Sequence, residues 1–365
     1  MPQAFFASRL LSWFDRHGRH DLPWQHPRDA YRVWLSEIML QQTQVSTVIP
    51  FFERFLVRFP NVHTLAEAPT DDVLTLWAGL GYYARARNLH KCAQILVEQY
   101  EGAFPYDIDT LIELPGIGRS TAAAILSQAY GERHAILDGN VRRVLSRYAA
   151  IDGWPGQPAV QKKLWALSES LLPHERLADY TQAIMDMGAT VCTSRKPACG
   201  ICPVFENCRA KQLGKVLDYP AAKPKRAHPL KREWALLIEN AHGEIFCERR
   251  PPAGIWGGLW CPPMLKVQQD WLAYCADRYG FECSSASPLP VVRHSFTHFD
   301  LEIVPLRFRV IGPHAKKIHE ACDATWVKII TGVTPTVGLP APIRKLLESP
   351  NLSLDQLQCP ESFTA

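Results

Sequence analysis

Four cysteines crowd into seventeen residues, Cys192, Cys199, Cys202 and Cys208, in the spacing Cys-x6-Cys-x2-Cys-x5-Cys. Thiolates this close repel one another unless a metal or cluster neutralises them, and zinc and iron–sulfur are both admissible on chemistry alone. The chain has 11 cysteines, an odd number, and the other seven are scattered. A chain of this size needs no disulfide staples, so the distribution favours a metal or cluster site in a reducing compartment. One carboxylate also stands out. Glu37 lies within Trp34-Leu-Ser-Glu-Ile-Met-Leu-Gln-Gln-Thr-Gln44, among Trp34, Leu35, Ile38, Met39 and Leu40. Whichever face of that helix packs, Glu37 is partly buried. Burial raises a carboxyl pKa and keeps its proton available near neutral pH.

Leu114-Pro-Gly-Ile-Gly-Arg-Ser-Thr-Ala122 offers a different chemistry. Gly116 and Gly118 permit a tight turn with outward-pointing amides, Ile117 anchors it, and the following helix N-terminus adds partial positive charge. The whole suits one DNA phosphate, a contact that fixes position and reads no sequence. An ordinary helix–helix corner would use the same residues. Downstream, in Ile136-Leu-Asp-Gly-Asn-Val-Arg-Arg-Val144, Asp138 precedes an apolar-periodic run as an N-cap does. An aspartate pinned there presents a fixed negative charge.

The elements that must position these groups are helical up to about residue 210. Apolar spacing places helices over 5–14, 31–45, 70–80, 86–99, 119–129, 141–149, 161–172 and 180–192. Between 209 and 232 the basic residues Arg209, Lys211, Lys215, Lys223, Lys225, Arg226, Lys231 and Arg232 face only Asp218, and Pro220, Pro224 and Pro229 forbid a continuous helix. This linker is either a solvated tether or a phosphate contact. Strand patterns follow: a hairpin over 234–238 and 244–248, strands over 301–310 and 325–330, and a closing helix over 341–347. The expected organisation is a helical domain over 1–212, a basic linker over 213–232, an α+β domain over 233–350 and a flexible tail over 351–365. At 47% hydrophobic and 21% charged residues, with a net charge of +4, the chain has ordinary globular composition. No apolar run is long enough for a bilayer and no signal pattern opens the chain, so the expectation is a cytoplasmic, nucleoid-associated monomer without a membrane partner.

These motifs resemble the helix-hairpin-helix glycosylases of the endonuclease III superfamily, in which an essential aspartate follows the hairpin by some twenty residues, as Asp138 does. The 6-2-5 cysteine spacing matches the 4Fe–4S loop of that group, and this resemblance selects the cluster over zinc. Arg195 and Lys196, between the first two ligands, would then face the DNA backbone. The Glu37 segment and Gly79-Leu-Gly-Tyr-Tyr-Ala-Arg-Ala-Arg-Asn88 are very close to the MutY-type adenine glycosylases, and the resemblance covers nearly the whole chain. It implies that Glu37 protonates adenine at N7 and that Asp138 stabilises the oxocarbenium-like sugar or links to it transiently. It also implies that Gln42 and Tyr82 fill the gap left by an extruded base and that Gln182 hydrogen-bonds that base. Asn140 joins Gly116, Gly118 and Ser120 among the expected DNA contacts.

Ser120 stands where endonuclease III-like lyases carry a lysine, and a hydroxyl cannot form an imine. The implied enzyme is therefore monofunctional. Residues 233–350 resemble the Nudix-like C-terminal domain of MutY proteins, but Gln268 to Tyr279 lacks the glutamate-rich, magnesium-holding helix of true Nudix hydrolases. Recognition remains as its role, through Phe296, Thr297 and His298 where the family has Phe-Ser-His. Threonine adds a methyl group in a tight place, which puts the strength of lesion discrimination in question. The implied substrate is duplex DNA with adenine opposite 8-oxoguanine or guanine. An endonuclease III-like glycosylase/lyase is countered by Ser120 and the long C-terminal domain. A non-catalytic lesion-binding protein is countered by the presence of both Glu37 and Asp138, which binding alone does not need.

Overall fold

A computed structural model describes residues 2–224, 229–251, 254–296, 298–311, 323–329 and 337–349. The expected tail over 351–365, part of the linker and Thr297 lie outside these residues. The chain forms two compact units, residues 1–68 with 85–226 and residues 69–84 with 227–365.

The helices are α1 (Pro2–His17), α2 (Ala30–Leu40), α3 (Val45–Arg58), α4 (Val62–Ala66), α5 (Thr70–Trp77), α6 (Ala84–Tyr100), α7 (Ile108–Glu113), α8 (Arg119–Tyr130), α9 (Gly139–Tyr148), α10 (Pro158–Ser170), α11 (Leu177–Asp186) and α12 (Arg209–Gln212). In the first unit α8 is the central pillar, packed against α2, α7 and α11. Its Ala122, Ala123 and Ala124 are buried, and such small side chains let neighbouring helices approach closely. The core closes with Phe6, Leu10 and Phe14 of α1, Val141, Val144 and Leu145 of α9, and Tyr180, Ala183 and Ile184 of α11.

Two helix boundaries differ from the sequence reading. The single helix expected over 31–45 ends at Leu40, because Gln42 takes a left-handed backbone (φ 60°) and the buried Arg85 side chain caps the freed carbonyls. A new helix, α3, then starts at Val45 with Pro50 inside it. Pro50 is exposed, so the carbonyl that loses its amide partner can turn to water. The helix expected over 180–192 changes at Met187 into a π turn ending at Val191.

The second unit is a twisted sheet of β1 (Leu230–Glu239), β2 (Ile245–Arg249), β3 (Trp260–Cys261), β4 (Met264–Lys266), β5 (Glu282–Cys283), β6 (Ser287–Pro288), β7 (Val292–Ser295), β8 (Asp300–Ile311) and β9 (Ala324–Val327), with helices α13 (Trp271–Tyr279) and α14 (Ala341–Leu347). The long β1 and β8 run parallel at its centre, in register from Leu230↔Asp300 to Glu239↔Arg309. Leu236, Ile238, Phe246, Leu306 and Phe308 bury one face against Cys275 and Tyr279 of α13. Residues 69–84 belong to this unit although the sequence boundaries put them with the first. Arg249 pairs with Asp71, the Tyr83 hydroxyl donates to the Leu339 carbonyl at 3.4 Å, and Gly338 lies against Leu74. Among the described residues no helix is long and apolar enough to cross a membrane.

Candidate active site

Glu37 sits on α2, which packs on α8, and Asp138 caps α9, which packs on α11, itself packed on α8. Each is half-buried. Burial, followed by the negative charge of Asp138, pushes the Glu37 carboxyl from 4.5 up to about 8. Burial raises Asp138 too, but the Val141 and Asn140 amides and the Arg143 and Arg142 charges pull the other way. The Val141 amide donates to Asp138 at 2.7 Å. The two groups are thus differently supported: Glu37 keeps its proton at neutral pH, whereas Asp138, also raised overall by burial, has amides and arginines that favour its charged form.

Ser120, in the first turn of α8, accepts a hydrogen bond from the Leu137 amide at 3.0 Å. Its hydroxyl thus anchors the residue next to Asp138. Gly116 has φ +83°, and a Cβ there would stand 3.0 Å from Asn88 Cβ, so only glycine suits the turn. Gly118 opens α8 without a side-chain cap and a Cβ there would meet nothing, which leaves the helix N-terminus open to an anion. Asn140 accepts from Arg143 at 2.8 Å, and the same guanidinium donates to the Gly188 and Cys192 carbonyls at 2.6 and 2.8 Å. Gly188 is obligatory too, since its Cβ would approach Asn140 Cβ to 2.6 Å. The π turn and the first turn of α9 touch backbone to backbone.

Gln182 is buried on α11, donating to Asp186 at 2.8 Å, while its carbonyl oxygen has no partner among the described residues. Arg19 holds Asp186 with its backbone amide and guanidinium at 2.7–3.0 Å, and Arg28 holds Asp179 at 3.0 Å. Asp179, Gln182 and Asp186 share one helical face, so segment 19–28 is fastened along it at both ends. Gln25 lies within that segment, buried, with neither amide atom partnered among the described residues. Such a group costs roughly 1–3 kcal/mol unless a ligand completes it. The sequence reading missed Gln25, because nothing in Pro23-Trp24-Gln25 distinguishes a buried glutamine from a surface one.

Gln42 is exposed at the end of α2 with φ 60°. Tyr82, in the second unit, is 50% exposed with φ 50°. Non-glycine residues held there store about 1–3 kcal/mol each, a cost that clusters at functional sites. Also in the second unit, the Phe296 amide donates to the Phe299 carbonyl at 2.8 Å, joining the end of β7 to the start of β8. Phe296 stacks on Phe299 with centroids 4.7 Å apart and packs against His294 and Trp256. His298, between β7 and β8, is exposed.

The four cysteines line one cavity of the first unit with Arg147, Val191, Pro197 and Phe205. Burial, with the neighbouring sulfurs, pushes the Cys202 thiol up to about 12, so a bound metal or cluster must supply the positive charge that makes it a thiolate. Arg147 donates to Cys192 Sγ at 3.3 Å and to the Thr193 and Ser194 carbonyls at 2.7 and 2.9 Å. Arg195 and Lys196 are exposed on the loop.

A pair of carboxyl groups in contrasting environments, with a glycine hairpin and a four-cysteine loop, defines a helix-hairpin-helix base-excision glycosylase. The HhH-GPD superfamily of base excision DNA repair proteins matches residues 35–170, a NUDIX domain matches 234–349, and the iron-sulfur binding domain of endonuclease III matches 192–208. Of the two chemistries open to the cysteines, the chain therefore carries a 4Fe–4S cluster. Adenine DNA glycosylase of Buchnera aphidicola (subsp. Acyrthosiphon pisum) is 38% identical over 351 residues, 96% of this chain and 98% of the relative. The human adenine DNA glycosylase is 46% identical, over 81% of this chain and 65% of its own length. The solved structure of a thermostable thymine-DNA glycosylase is 29% identical and superposes with a TM-score of 0.53, covering 58% of this chain and 97% of that one. The chain belongs to the adenine DNA glycosylase family, enzymes that act on an N-glycosyl bond.

Proposed function

We propose that this enzyme hydrolyses the N-glycosidic bond of adenine mispaired with 8-oxoguanine or guanine in duplex DNA, leaving an abasic site with the strand intact. The single observation that carries the reading is Glu37, raised to about 8 by burial and by the neighbouring Asp138. The target adenine leaves the base stack, and Gln42 and Tyr82 occupy the space it vacates. Gln182 and Gln25 offer buried donors and acceptors to its edge. Glu37 gives its proton to N7, and the C1′–N9 electron pair moves onto the base as that bond breaks. Asp138 faces the positive charge developing on the sugar; water then adds at C1′ and the proton it loses restores the Glu37 carboxyl.

Position 120 is a hydroxyl engaged with the Leu137 amide, so no amine stands ready to form an imine and cut the strand. The hairpin of Gly116 and Gly118 and the loop of Arg195 and Lys196 hold phosphates. Cys192, Cys199, Cys202 and Cys208 hold the cluster, which when bound ties residues 192–208 to α9 through Arg143 and Arg147. Residues 233–350 read the opposite base through Phe296, Thr297 and His298. The enzyme acts as a monomer in the cytoplasm, on the nucleoid.

The test is a duplex with adenine opposite 8-oxoguanine, followed with and without alkali. Free adenine with scission only after alkali supports the reading. Scission without alkali would assign a lyase, and tight binding without release would assign a non-catalytic binder.

A further inference from the structure

The connection between α2 and α3 is shaped from outside itself. A helix ends in carbonyls that no later amide of its own reaches. Here the Leu40 carbonyl accepts from the Thr43 amide at 3.2 Å. The Ile38, Met39 and Gln41 carbonyls instead converge on one nitrogen of the Arg85 guanidinium, at 2.9, 2.8 and 2.5 Å. Its other terminal nitrogen lies 3.1 Å from Thr43 Oγ1. Arg85 is buried, a cation at the negative end of a helix, and its acceptors flank residue 42 on both sides. Between them Gln42 alone points outward, in a backbone conformation that side chains other than glycine rarely adopt.

We propose that Arg85 is a positioning residue for base extrusion: by fastening the turn of Gln41 and Thr43 to the end of α2, it holds Gln42 in its projecting, left-handed conformation. The inference rests on Gln42 entering the space left by the extruded base. A planar fork is required, because one nitrogen gathers the three carbonyls while the second holds Thr43 Oγ1, and a lysine's single nitrogen cannot occupy both places at once. Without the fork, the carbonyls must find other donors and residue 42 relaxes toward ordinary φ, withdrawing its side chain.

The experiment uses the full-length, cluster-loaded enzyme and a duplex with 2-aminopurine in place of the target adenine, whose fluorescence rises on unstacking. Arg85→Lys should lower extrusion about tenfold, with affinity for undamaged duplex within about twofold of wild type and the alkaline limb of base release unmoved. In a Gln42→Ala background the same substitution should cause no further loss, because both act through one side chain. Thr43→Val, which removes one acceptor and spares the helix end, should lower extrusion by about threefold and likewise vanish in the Gln42→Ala background. Wild-type extrusion by Arg85→Lys, or losses that multiply with Gln42→Ala, overturns the proposal. If Arg85→Lys does not fold, Thr43→Val decides on the same two criteria. A wild-type enzyme that neither extrudes 2-aminopurine nor releases adenine sinks the functional reading and this inference together. An active wild type indifferent to Arg85 and Thr43 sinks this inference alone.

Discussion

The negative charge of Asp138 is one of the two causes that hold Glu37 protonated at neutral pH, burial being the larger. The pair is asymmetric because Asp138 caps a helix and faces two arginines, while Glu37 has neither kind of support. The first expectation concerns rate against pH. Glu37 must be protonated to act, so single-turnover adenine release should be flat near pH 7 and fall about tenfold for each pH unit above about 8. Neutralising the neighbour in Asp138→Asn should shift what residual limb remains toward lower pH. A profile still flat at pH 9.5 would remove Glu37 as the acid.

Stability follows from the same shift. A carboxyl at 4.5 in the unfolded chain and about 8 in the folded one binds its proton more tightly when folded. The native state is therefore favoured below pH 4.5, and that advantage is lost progressively as the pH rises to about 8. Glu37→Gln removes the ionisable group and should be more stable than wild type at pH 9, by roughly 2–4 kcal/mol after allowing for partial exposure. Thermal melts at pH 6 and pH 9 should show the gap opening with pH. The same variant should lose turnover entirely and keep its affinity for duplex.

Much of this was legible in the residues themselves, and what was not has a physical reason. Glu37 among apolar neighbours, the glycine hairpin and the cysteine spacing are local signals, readable without tertiary contacts. The interruption at Gln42 was not, because the guanidinium that ends α2 comes from Arg85, more than forty residues away. Gln25 was hidden for a similar reason: its burial depends on Arg19 and Arg28 fastening its segment to α11. The sequence boundaries also cut between domains once, whereas residues 69–84 contribute α5 to the second unit. A discontinuous unit leaves no compositional mark at its first break.

The cluster makes a separate expectation. Burial holds Cys202 protonated at pH 7 in the absence of iron, so rebuilding the cluster from iron and sulfide must expel that proton. Reconstitution of the iron-free enzyme should release protons into a weakly buffered dye solution and proceed faster at pH 8.5 than at pH 7. A rate that stops rising near pH 9, the ordinary thiol value, would contradict the burial of that thiol.

Binding to duplex should weaken steeply with salt. On the proposed reading a hairpin amide site, Arg195 and Lys196 address phosphates, joined by the basic run after residue 209 if it is more than a tether, and each neutralised phosphate releases condensed counterions. With about five such contacts, log K should fall with log salt at a slope near −4 to −5. Arg195→Ala with Lys196→Ala should make that slope shallower by about 1 to 2 and weaken all duplexes alike, leaving preference for the mispair intact. Fluorescence anisotropy from about 50 to 200 mM salt measures both quantities. A double variant that altered mispair preference at constant slope would instead make the loop a reader of bases.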